Sequence, residues 1–555
     1  MSALVHTDGR EVRRRLDTDA DVVVVGSGPA GATVARACAA AGLDVAVLEE
    51  GHEARPADFA EKGLEAMARL YRDLGTSVAF GPTVIPFLQG RAVGGTSVVN
   101  GAINWRLPRD AYDAWVAEDA AFADAVPYEA LQAAEEDLEA RLGVAPTDAA
   151  VAGPKNLLLA KGAEALGLEH RPIRRNVRGC VGLGRCLQGC PRGAKLSVDR
   201  TFLVDAVAHG ARVYSGVRVE RVQLERGRAV GVTAVAEGGG AVVVRARRAV
   251  VLAASAIQTP LLLRASGLTR GPAGDGLMAH PGVSVTGLFD APVHNHLGAT
   301  QGHEVTGLRH EGIKVEALGF DVSLVASRLP GVGADFAARL ERLSHHAVWG
   351  AALKADARGT VRAVGGRALV RYALTPGDVR KARRATRVLA ELFLAAGARE
   401  AYPGVPGMPA VVRTHEEAAA LEVDGPLDAR AYSMSMTHLF GTARMGSDAA
   451  CSVVGLDFQH REAAGLYVAD SSVFPRNIGV NPQVAIMAMA ALCAARLVAG
   501  AGRARQPGVG AAPVGGGVAA NRSRTLPVSV SAVNGLASMT TEPSAMPRRS
   551  NSSAT

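Results

Sequence analysis

DVVVVGSGPAGATVARACAAAGLDVAVLEE, residues 21–50, decides the fold of this chain. Residues 21–25 form a short β-branched run that is typical of a buried parallel strand. The segment GSGPAG follows, then an alanine-rich stretch that predicts a helix ending near Gly42, and then a second strand, LDVAVLE. A strand, a helix and a strand within about 30 residues make one βαβ unit. We therefore predict an α/β, Rossmann-type sheet near the N-terminus.

The glycines of this unit fit a dinucleotide-binding turn. In GxGxxG, Gly26 allows the tight turn, Gly28 lets a diphosphate approach the backbone, and Gly31 permits close helix–strand packing. The diphosphate is then expected at the helix N-terminus, where free N–H groups point. Glu49 closes the second strand, suitably placed to accept hydrogen bonds from a ribose, and it repels the 2′-phosphate of NADP. The motif alone does not separate FAD from NAD, and a tight turn without a ligand remains an alternative.

Further along the chain, the pattern predicts a second lobe and a tail. At 555 residues the chain exceeds what one hydrophobic core usually holds. Residues 282–375 alternate in short β-like runs, and TPGDVRKARRATRVLAELFLAAGA then reads as a capped amphipathic helix. Residues 501–555 are rich in Gly, Pro, Ala, Ser and Arg, which predicts a disordered tail.

The charge and hydropathy patterns exclude two classes of protein. The formal net charge is +8, but residues 501–555 hold six Arg and one Glu, so the body is close to neutral and no nucleic-acid partner is expected. The N-terminus has no apolar signal-peptide core. The apolar run at residues 484–495 is shorter than the roughly 20 residues that cross a bilayer. We expect a cytoplasmic protein without a membrane span.

Three of the six cysteines, Cys180, Cys186 and Cys190, cluster in CVGLGRCLQGC. Zinc and iron–sulfur sites usually need four protein ligands at closer, CxxC-like spacing. No fourth Cys or His follows closely, so we predict no metal site. Packed thiols or a local disulfide remain, and a reducing cytoplasm disfavours the disulfide.

Four further segments, in order, resemble the signatures of the glucose–methanol–choline oxidoreductases: GRAVGGTSVVNG (90–101), SAIQTPLLLRASGL (255–268), HLFGTARMG (438–446) and LYVADSSVFPRNIGVNPQVAIMAMA (466–490). The resemblance runs from about residue 20 to 500 and departs where Thr269 replaces a usual Gly. It implies FAD in a Rossmann-type lobe, a substrate lobe on an antiparallel sheet, and an α/β (α+β overall) class. The implied FAD-binding domain comprises residues 18–115, 195–281 and 435–500, and the substrate-binding domain 116–194, with the cysteine insert, and 282–434.

The resemblance also implies the cofactor contacts. Gly94, Gly95 and Thr96 fall at the diphosphate and ribityl chain, and Asn100 lies near the flavin. Three more positions carry cofactor roles: Val217 at the adenine, Asp470 at the ribityl–phosphate portion, and Pro482 where a helix N-terminus faces the flavin. The alternatives are a core position for Val217 and a loop Asp that caps local amides for Asp470.

Two residues are implied to carry the chemistry. Of the 14 His, His438 alone lies in the HxxGTxRMG context that resembles the family's catalytic base. An imidazole with its ordinary pKa near 6.5 can take a carbinol proton at neutral pH. Asn481 matches a position where the family has His or Asn, and its amide can hydrogen-bond the substrate oxygen. Because Pro follows, a helix N-cap is the alternative for Asn481.

These residues predict oxidation of a small-molecule alcohol, such as a sterol, long-chain alcohol, sugar or polyol. The electron acceptor is O2 or another group, such as a quinone, cytochrome or partner subunit. A flavin protein without turnover, or an NAD-binding module, would leave some of these segments unexplained. FAD is expected without a covalent bond, because Val99 stands where some relatives carry the linking His, and no His lies between His52 and His170.

Overall fold

The predicted βαβ unit forms the centre of the first of two large sheets. The structure is a computed structural model that describes residues 4–503. The last helix continues to Arg503, and the rest of the predicted tail lies outside the described residues.

The strands in this range are numbered in chain order: β1 Thr7–Asp8, β2 Leu16–Val25, β3 Val45–Leu48, β4 Val78–Phe80, β5 Ile85–Pro86, β6 Val144–Pro146, β7 His170–Pro172, β8 Arg174–Asn176, β9 Arg212–Ser215, β10 Val217–Glu225, β11 Arg228–Ala236, β12 Ala241–Leu252, β13 Asp275–Leu288, β14 His303–Val305, β15 Ile313–Leu318, β16 His346–Leu353, β17 Gly359–Val364, β18 Arg367–Arg371, β19 Glu400–Tyr402, β20 Ser435–Phe440 and β21 Leu466–Val468.

The α-helices in the same range are α1 Pro29–Ala40, α2 Gly63–Leu70, α3 Arg109–Glu118, α4 Ala121–Ala125, α5 Tyr128–Arg141, α6 Ala149–Ala152, α7 Pro154–Ala165, α8 Phe202–Ala208, α9 Ser255–Ala265, α10 Val322–Ala326, α11 Gly333–Glu341, α12 Pro376–Ala396, α13 His415–Val423 and α14 Gln483–Arg503.

The first sheet has eight strands in the order β1-β9-β3-β2-β12-β11-β10, with β21 beside β12. Its pairs are parallel from β1 to β12 and at β21, and antiparallel through β10, β11 and β12. Helices α1, α8 and α14 pack together beside it, and the apolar residues of this layer form one core. The four-valine run at residues 22–25 is almost fully buried, as a strand covered on both faces requires.

The second sheet has eleven strands in the order β5-β4-β18-β17-β13-β16-β15-β14-β7, with β19 and β20 also paired to β13. All of its pairs are antiparallel except β4 with β18. Helix α12 covers one face, starts with a Thr375–Asp378 capping box, and stacks Phe393 on Trp349 with ring centroids 3.7 Å apart. The predicted class, a Rossmann-type lobe with a second lobe on an antiparallel sheet, is confirmed.

The predicted domain limits stay a prediction, and sheet membership does not follow them everywhere. Strands β4, β5 and β20 fall in segments assigned to the FAD-binding domain but pair within the second sheet. Strand β13 begins at Asp275, before the predicted limit at residue 281. The described residues belong to one compact unit. A periodic pattern identifies a strand, but its sheet is fixed by partners distant in sequence.

Helix α14 stands out among the described helices by being both long and apolar. Its window Gln483–Gly500 has a mean hydropathy of 1.7 and is long and apolar enough to cross a membrane, and 50% of it is buried in the fold. The helix packs against α1 and α5. Helices in the core of globular proteins have the same apolar character, because they are hydrophobic all round.

Candidate active site

His438 lies on β20, the strand that brings the catalytic motif to the second sheet. The preceding residues alternate strictly, with Met434 and Met436 buried in the core and Ser435 and Thr437 exposed on the other face. His438 breaks this alternation with a φ of 54°, in the left-handed region that non-glycine residues seldom adopt. Such strain is found where the surroundings fix a side chain for function.

Three side chains form a chain of contacts around His438. Its Nδ1 lies 3.1 Å from Nδ1 of His280 on β13, and its Nε2 lies 3.5 Å from Nδ2 of Asn481. The backbone N–H of Gly479 donates to Nε2 of His280 at 3.0 Å. The structure thus brings together the two predicted catalytic residues and adds His280, which sequence reasoning missed.

The contact with Gly479 fixes the proton positions. His280 accepts at Nε2, so in its neutral form it carries its proton on Nδ1 and donates to Nδ1 of His438. His438 therefore carries its own proton on Nε2, the nitrogen that faces Asn481. Burial and the charges of His438 and two lysines hold the pKa of His280 well below its ordinary value. Burial, with the charge of Lys314, lowers the pKa of His438 to about 3.

A buried lysine supports Asn481 from the opposite side. Lys314 Nζ donates to Asn481 Oδ1 at 2.8 Å, lies 2.8 Å from Glu304 Oε2, and forms a short ion pair with Glu316. Lys314 and Glu304 are 1% and 0% exposed. Burial alone lowers the pKa of Lys314, but the two carboxylates outweigh it and raise the pKa above the ordinary value. Lys314 is therefore a fixed cation.

Strand β15 carries a local sequence signal for this cation. Strand β15 reads IKVEAL, with Lys314 and Glu316 at alternate positions between apolar residues, and all but its last residue are buried. Alternate charges in a buried strand indicate an internal ion pair. The tertiary contact with Asn481, 167 residues away, has no local signal.

Asn481 was expected either at the substrate or as a helix cap. Its side-chain oxygen accepts from Lys314, and its NH2 group points at His438. Helix α14 begins at Gln483, and the carbonyl of Pro482 accepts its first internal bond from Ile486. These contacts place the Asn481 side chain in the His438 cluster.

The glycines of the N-terminal turn leave room for a ligand. Gly26 has a φ of 98°, and a Cβ on Gly31 would lie 1.9 Å from the carbonyl oxygen of Gly26, so neither position accepts a side chain. A Cβ on Gly28 would meet only Gly95 Cα, at 3.9 Å. The open space in front of Gly28 and the N-terminus of α1 suits a diphosphate.

Glu49 connects this turn with the 90–101 loop. Its carboxylate accepts from the N–H of Ser27 at 3.0 Å, from the Ser27 hydroxyl at 2.7 Å and from the N–H of Gly51 at 2.8 Å. Ser27 Oγ in turn accepts from the N–H of Gly94 at 3.0 Å. Burial raises the pKa of Glu49. The ribose contact of Glu49 stays a prediction, and Ser27 joins the set as a residue that the sequence did not single out.

Four further predicted cofactor positions lie in the 90–101 loop. Gly94 and Gly95 have φ values of 96° and 55°, and Thr96 Oγ1 accepts from the N–H of Gly90 at 3.0 Å. Asn100 Nδ2 donates to Gln483 Oε1 at 2.6 Å, which ties the loop to the start of α14. This contact places the N-terminus of α14 beside the loop.

Asp470 and Val217 both have structural contacts of their own. Asp470 accepts from the N–H of Ser255 and the hydroxyl of Thr259, at 3.0 and 2.6 Å, and also caps Ser472 at 2.8 Å. Val217 is 1% exposed and its N–H donates to the carbonyl of Glu49 at 2.9 Å. The capping alternative for Asp470 and the core alternative for Val217 describe real contacts, and the cofactor roles stay predictions.

The surroundings fit FAD by a further observation. Three buried polar atoms between the loop, α9 and α14 have no hydrogen-bond partner: Gln89 Oε1, Ser472 Oγ and Gln483 Nε2. Buried polar groups are nearly always paired in a working protein. Together with the glycine cradle, they form a set of donors and acceptors for a polar ligand that spans from Gly28 to α14.

The cysteine insert has free thiols. All six cysteines are free, and Cys180, Cys186 and Cys190 line a small cavity of about 20 Å³. Burial alone raises the pKa of Cys186, but the charges of Arg175 and Lys195 outweigh it and lower the pKa. In residues 4–503 no group of three His, Cys, Asp or Glu side chains is placed to hold a metal ion.

Comparison with protein families agrees with this geometry. The GMC oxidoreductase models match residues 67–282 and 355–490, and an FAD-binding domain model matches residues 21–77. An uncharacterized GMC-type oxidoreductase of Mycobacterium tuberculosis is 39% identical over 485 residues, covering 87% of this chain and 76% of the relative. A long-chain-alcohol oxidase of Arabidopsis thaliana is 30% identical, covering 86% of this chain and 67% of the relative.

Solved structures show the same fold. Pyridoxine 4-oxidase from Mesorbium loti matches with a TM-score of 0.62 at 19% identity, covering 85% of this chain and 98% of that one. Formate oxidase from Aspergillus oryzae matches with a TM-score of 0.65 at 17% identity, covering 88% and 99%. The chain therefore belongs to the GMC oxidoreductase family. It is an oxidoreductase with FAD as its cofactor, as predicted.

Proposed function

We propose that this enzyme oxidises the CH–OH group of an alcohol to a carbonyl group. The observation that carries the proposal is the convergence of His438 Nε2 and Asn481 Nδ2, 3.5 Å apart, beside the buried cation Lys314. Two N–H groups aimed at one point can hold a carbinol oxygen as negative charge develops on it. FAD, when bound, supplies the hydride acceptor.

Two roles for His438 follow from its surroundings. As the base, it takes the carbinol proton at Nε2, which requires that nitrogen to be free. The Gly479–His280–His438 chain instead places a proton on Nε2 at rest, so the base role requires both rings to shift their protons. As a donor, His438 hydrogen-bonds the carbinol oxygen through its Nε2–H, beside the Asn481 amide, without any shift, and the carbinol proton then leaves to water. We keep the base as the proposal, and the His438→Gln variant in the Discussion separates the two.

The substrate is proposed to be a small-molecule alcohol, and the acceptor O2 or another oxidant. Relatives include the long-chain-alcohol oxidase above and paromamine 6'-oxidase of Streptomyces fradiae, 28% identical over 89% of this chain and 94% of the relative. A flavin protein without turnover is disfavoured, because both His438 and Asn481 are present and in contact.

The proposal is tested with purified holoenzyme. We expect a yellow protein whose flavin band bleaches anaerobically with one class in an alcohol panel and recovers in air if O2 is the acceptor. A folded protein that binds NAD, shows no flavin absorbance and cannot be reconstituted with FAD would refute the proposal. A flavin that no alcohol bleaches would remove alcohol oxidation while leaving the cofactor in place.

FAD is expected to be released when the protein unfolds. Val99 occupies the position from which a linking His would attack the flavin, and it is 2% exposed in an apolar cluster. Acid precipitation should therefore leave a colourless pellet and intact FAD in the supernatant. Absorbance that stays with the precipitated polypeptide would show a covalent bond.

Asn481→Asp should slow turnover strongly without loss of stability. An Asp side chain can still accept from Lys314 and gains an ion pair there, but it loses the N–H that faces the carbinol oxygen. Loss of such a donor lowers the reaction rate by a factor of about 10²–10³. We expect an unchanged or higher melting temperature and slow anaerobic flavin reduction. Near-normal reduction in this variant would refute the substrate role.

A further inference from the structure

A row of hydroxyl groups leads away from His438 along β20 and the segment just before it, which contains Ser433. Ser433, Ser435 and Thr437 are all exposed, while Met434 and Met436 between them are buried in the core. Alternate residues of a strand share one face. The three hydroxyls therefore line a polar track on the face opposite the methionine core, and the track ends at His438.

The strand register places this track on the catalytic face. Thr437 pairs with His280, and Ser435 pairs with Gly282, across β20 and β13. Directly paired residues point to the same face of a sheet. Along β13, Ser284 therefore continues the face that starts with His280, four residues further on, or about 13 Å away at 3.3 Å per residue.

The far end of the track opens into a cavity of about 260 Å³. Strand β20 pairs with β13 only as far as Gly282, and β19 pairs from Thr286 onward, so residues 283–285 lie between the two partners. The cavity sits at this gap, and Ser284, Ser433 and Arg328 are among its lining residues.

Arg328 brings an uncompensated charge to the cavity. Its guanidinium donates to Ser284 Oγ and lies 5.1 Å from the ring centroid of Phe320, while its Nε is buried without a partner. Among the described residues, no carboxylate lies within 4.0 Å of it. Glu400, two residues before the cavity-lining Tyr402, is held by Tyr402 and Arg413, both at 2.7 Å. Burial lowers the pKa of Arg328, with no acid to offset it.

We propose that Arg328 binds an anionic group, a carboxylate or phosphate, at the far end of the alcohol substrate. A partly buried cation without a counter-ion is costly, and a bound anion removes that cost. The substrate is then a polar alcohol long enough to reach from His438 to Arg328, with the rise of about 13 Å from His280 to Ser284 along β13 as the guide to its length. This proposal rests on the proposed alcohol oxidation.

The experiment compares glycols with their acids. Oligo(ethylene glycols) of two to six units and the same chains ending in a carboxymethyl group are tested as substrates of the holoenzyme. A hydrogen bond to a charged group contributes about 1.5–3 kcal/mol, so we expect roughly 10–100-fold higher kcat/KM for the acid of matching length. Arg328→Leu should remove this preference through KM, with kcat unchanged, and Arg328→Lys should keep part of it. Arg367→Leu, at an exposed position on β18, is the control.

A direct binding measurement completes the test. The methyl-capped acid has no carbinol, so calorimetry reports its binding without turnover. Binding no tighter than the methyl-capped neutral glycol, or equal binding by wild type and both Arg328 variants, overturns the anion site. Oxidation of glycols and acids at equal rates overturns the substrate assignment but leaves alcohol oxidation intact. Tight, Arg328-dependent binding without oxidation of any alcohol keeps the anion site and rejects the proposed reaction.

Discussion

Replacing His438 by Ala is expected to slow anaerobic flavin reduction by about 10²–10⁴, the usual contribution of a positioned acid–base group. FAD should remain bound, because the glycine turn, Glu49 and the 90–101 loop lie on other segments. Stopped-flow absorbance of the flavin band measures the rate directly. Reduction at the wild-type rate in His438→Ala would remove His438 from the chemistry altogether.

The variant His438→Gln then decides whether His438 acts as the base or as a hydrogen-bond donor. A Gln side chain can present an N–H toward the carbinol oxygen but cannot accept its proton at neutral pH. If His438 is the base, Gln should be as slow as Ala. If His438 acts as a donor, Gln should recover at least tenfold over Ala. The comparison is between two variants in the same background, so it does not depend on the absolute rate.

The pH dependence follows from the low pKa of His438. Because burial and Lys314 lower this pKa to about 3, the ring is neutral throughout the range where the protein is handled. Flavin reduction should therefore be level from about pH 5 to 8 and fall only toward the shifted pKa, whereas an ordinary His would lose activity below about 6.5. A folded-state pKa below the unfolded value also means that stability declines as pH falls below about 6.5. A rate that halves near pH 6.5 would contradict the assigned environment of His438.

Lys314→Met should destabilise the fold by about 3–5 kcal/mol, the usual cost of removing one partner from a buried ion pair. Glu304 keeps Arg171, 2.8 Å away, but Glu316 loses its only ion-pair partner among the described residues. Urea unfolding of the holoenzyme, followed by fluorescence and flavin release, measures the loss. The pH profile should also shift upward, since the charge that lowers the pKa of His438 is gone.

A double variant separates charge burial from simple packing. In Lys314→Met with Glu316→Gln, the carboxylate that lost its partner becomes neutral and can still accept from Gln301. Much of the lost stability should return, while the upward shift of the pH profile should persist. Equal instability in the single and double variants would mean that shape, and not the unpaired charge, explains the loss.

The sequence by itself determined the local elements and the family. The valine run, the three spaced glycines and the alternation SMSMT each depend on neighbours close in the chain. A period of two favours a strand, and a missing Cβ permits turns and close approaches that other residues cannot make. The same segments located His438 and Asn481, because both sit within signatures that can be recognised by their order.

The tertiary structure alone decided the surroundings of those two residues. His280 and Lys314 contact His438 and Asn481 from 158 and 167 residues away in the chain. Arg328 lines a cavity at a gap between strands that only the register reveals. The tautomer of His438 depends on the N–H of Gly479, and its low pKa depends on its own burial and on the charge of Lys314. Both are properties of contacts and not of residue types. Sequence patterns report periodicity along the chain, whereas hydrogen-bond direction and desolvation arise only after distant segments have packed.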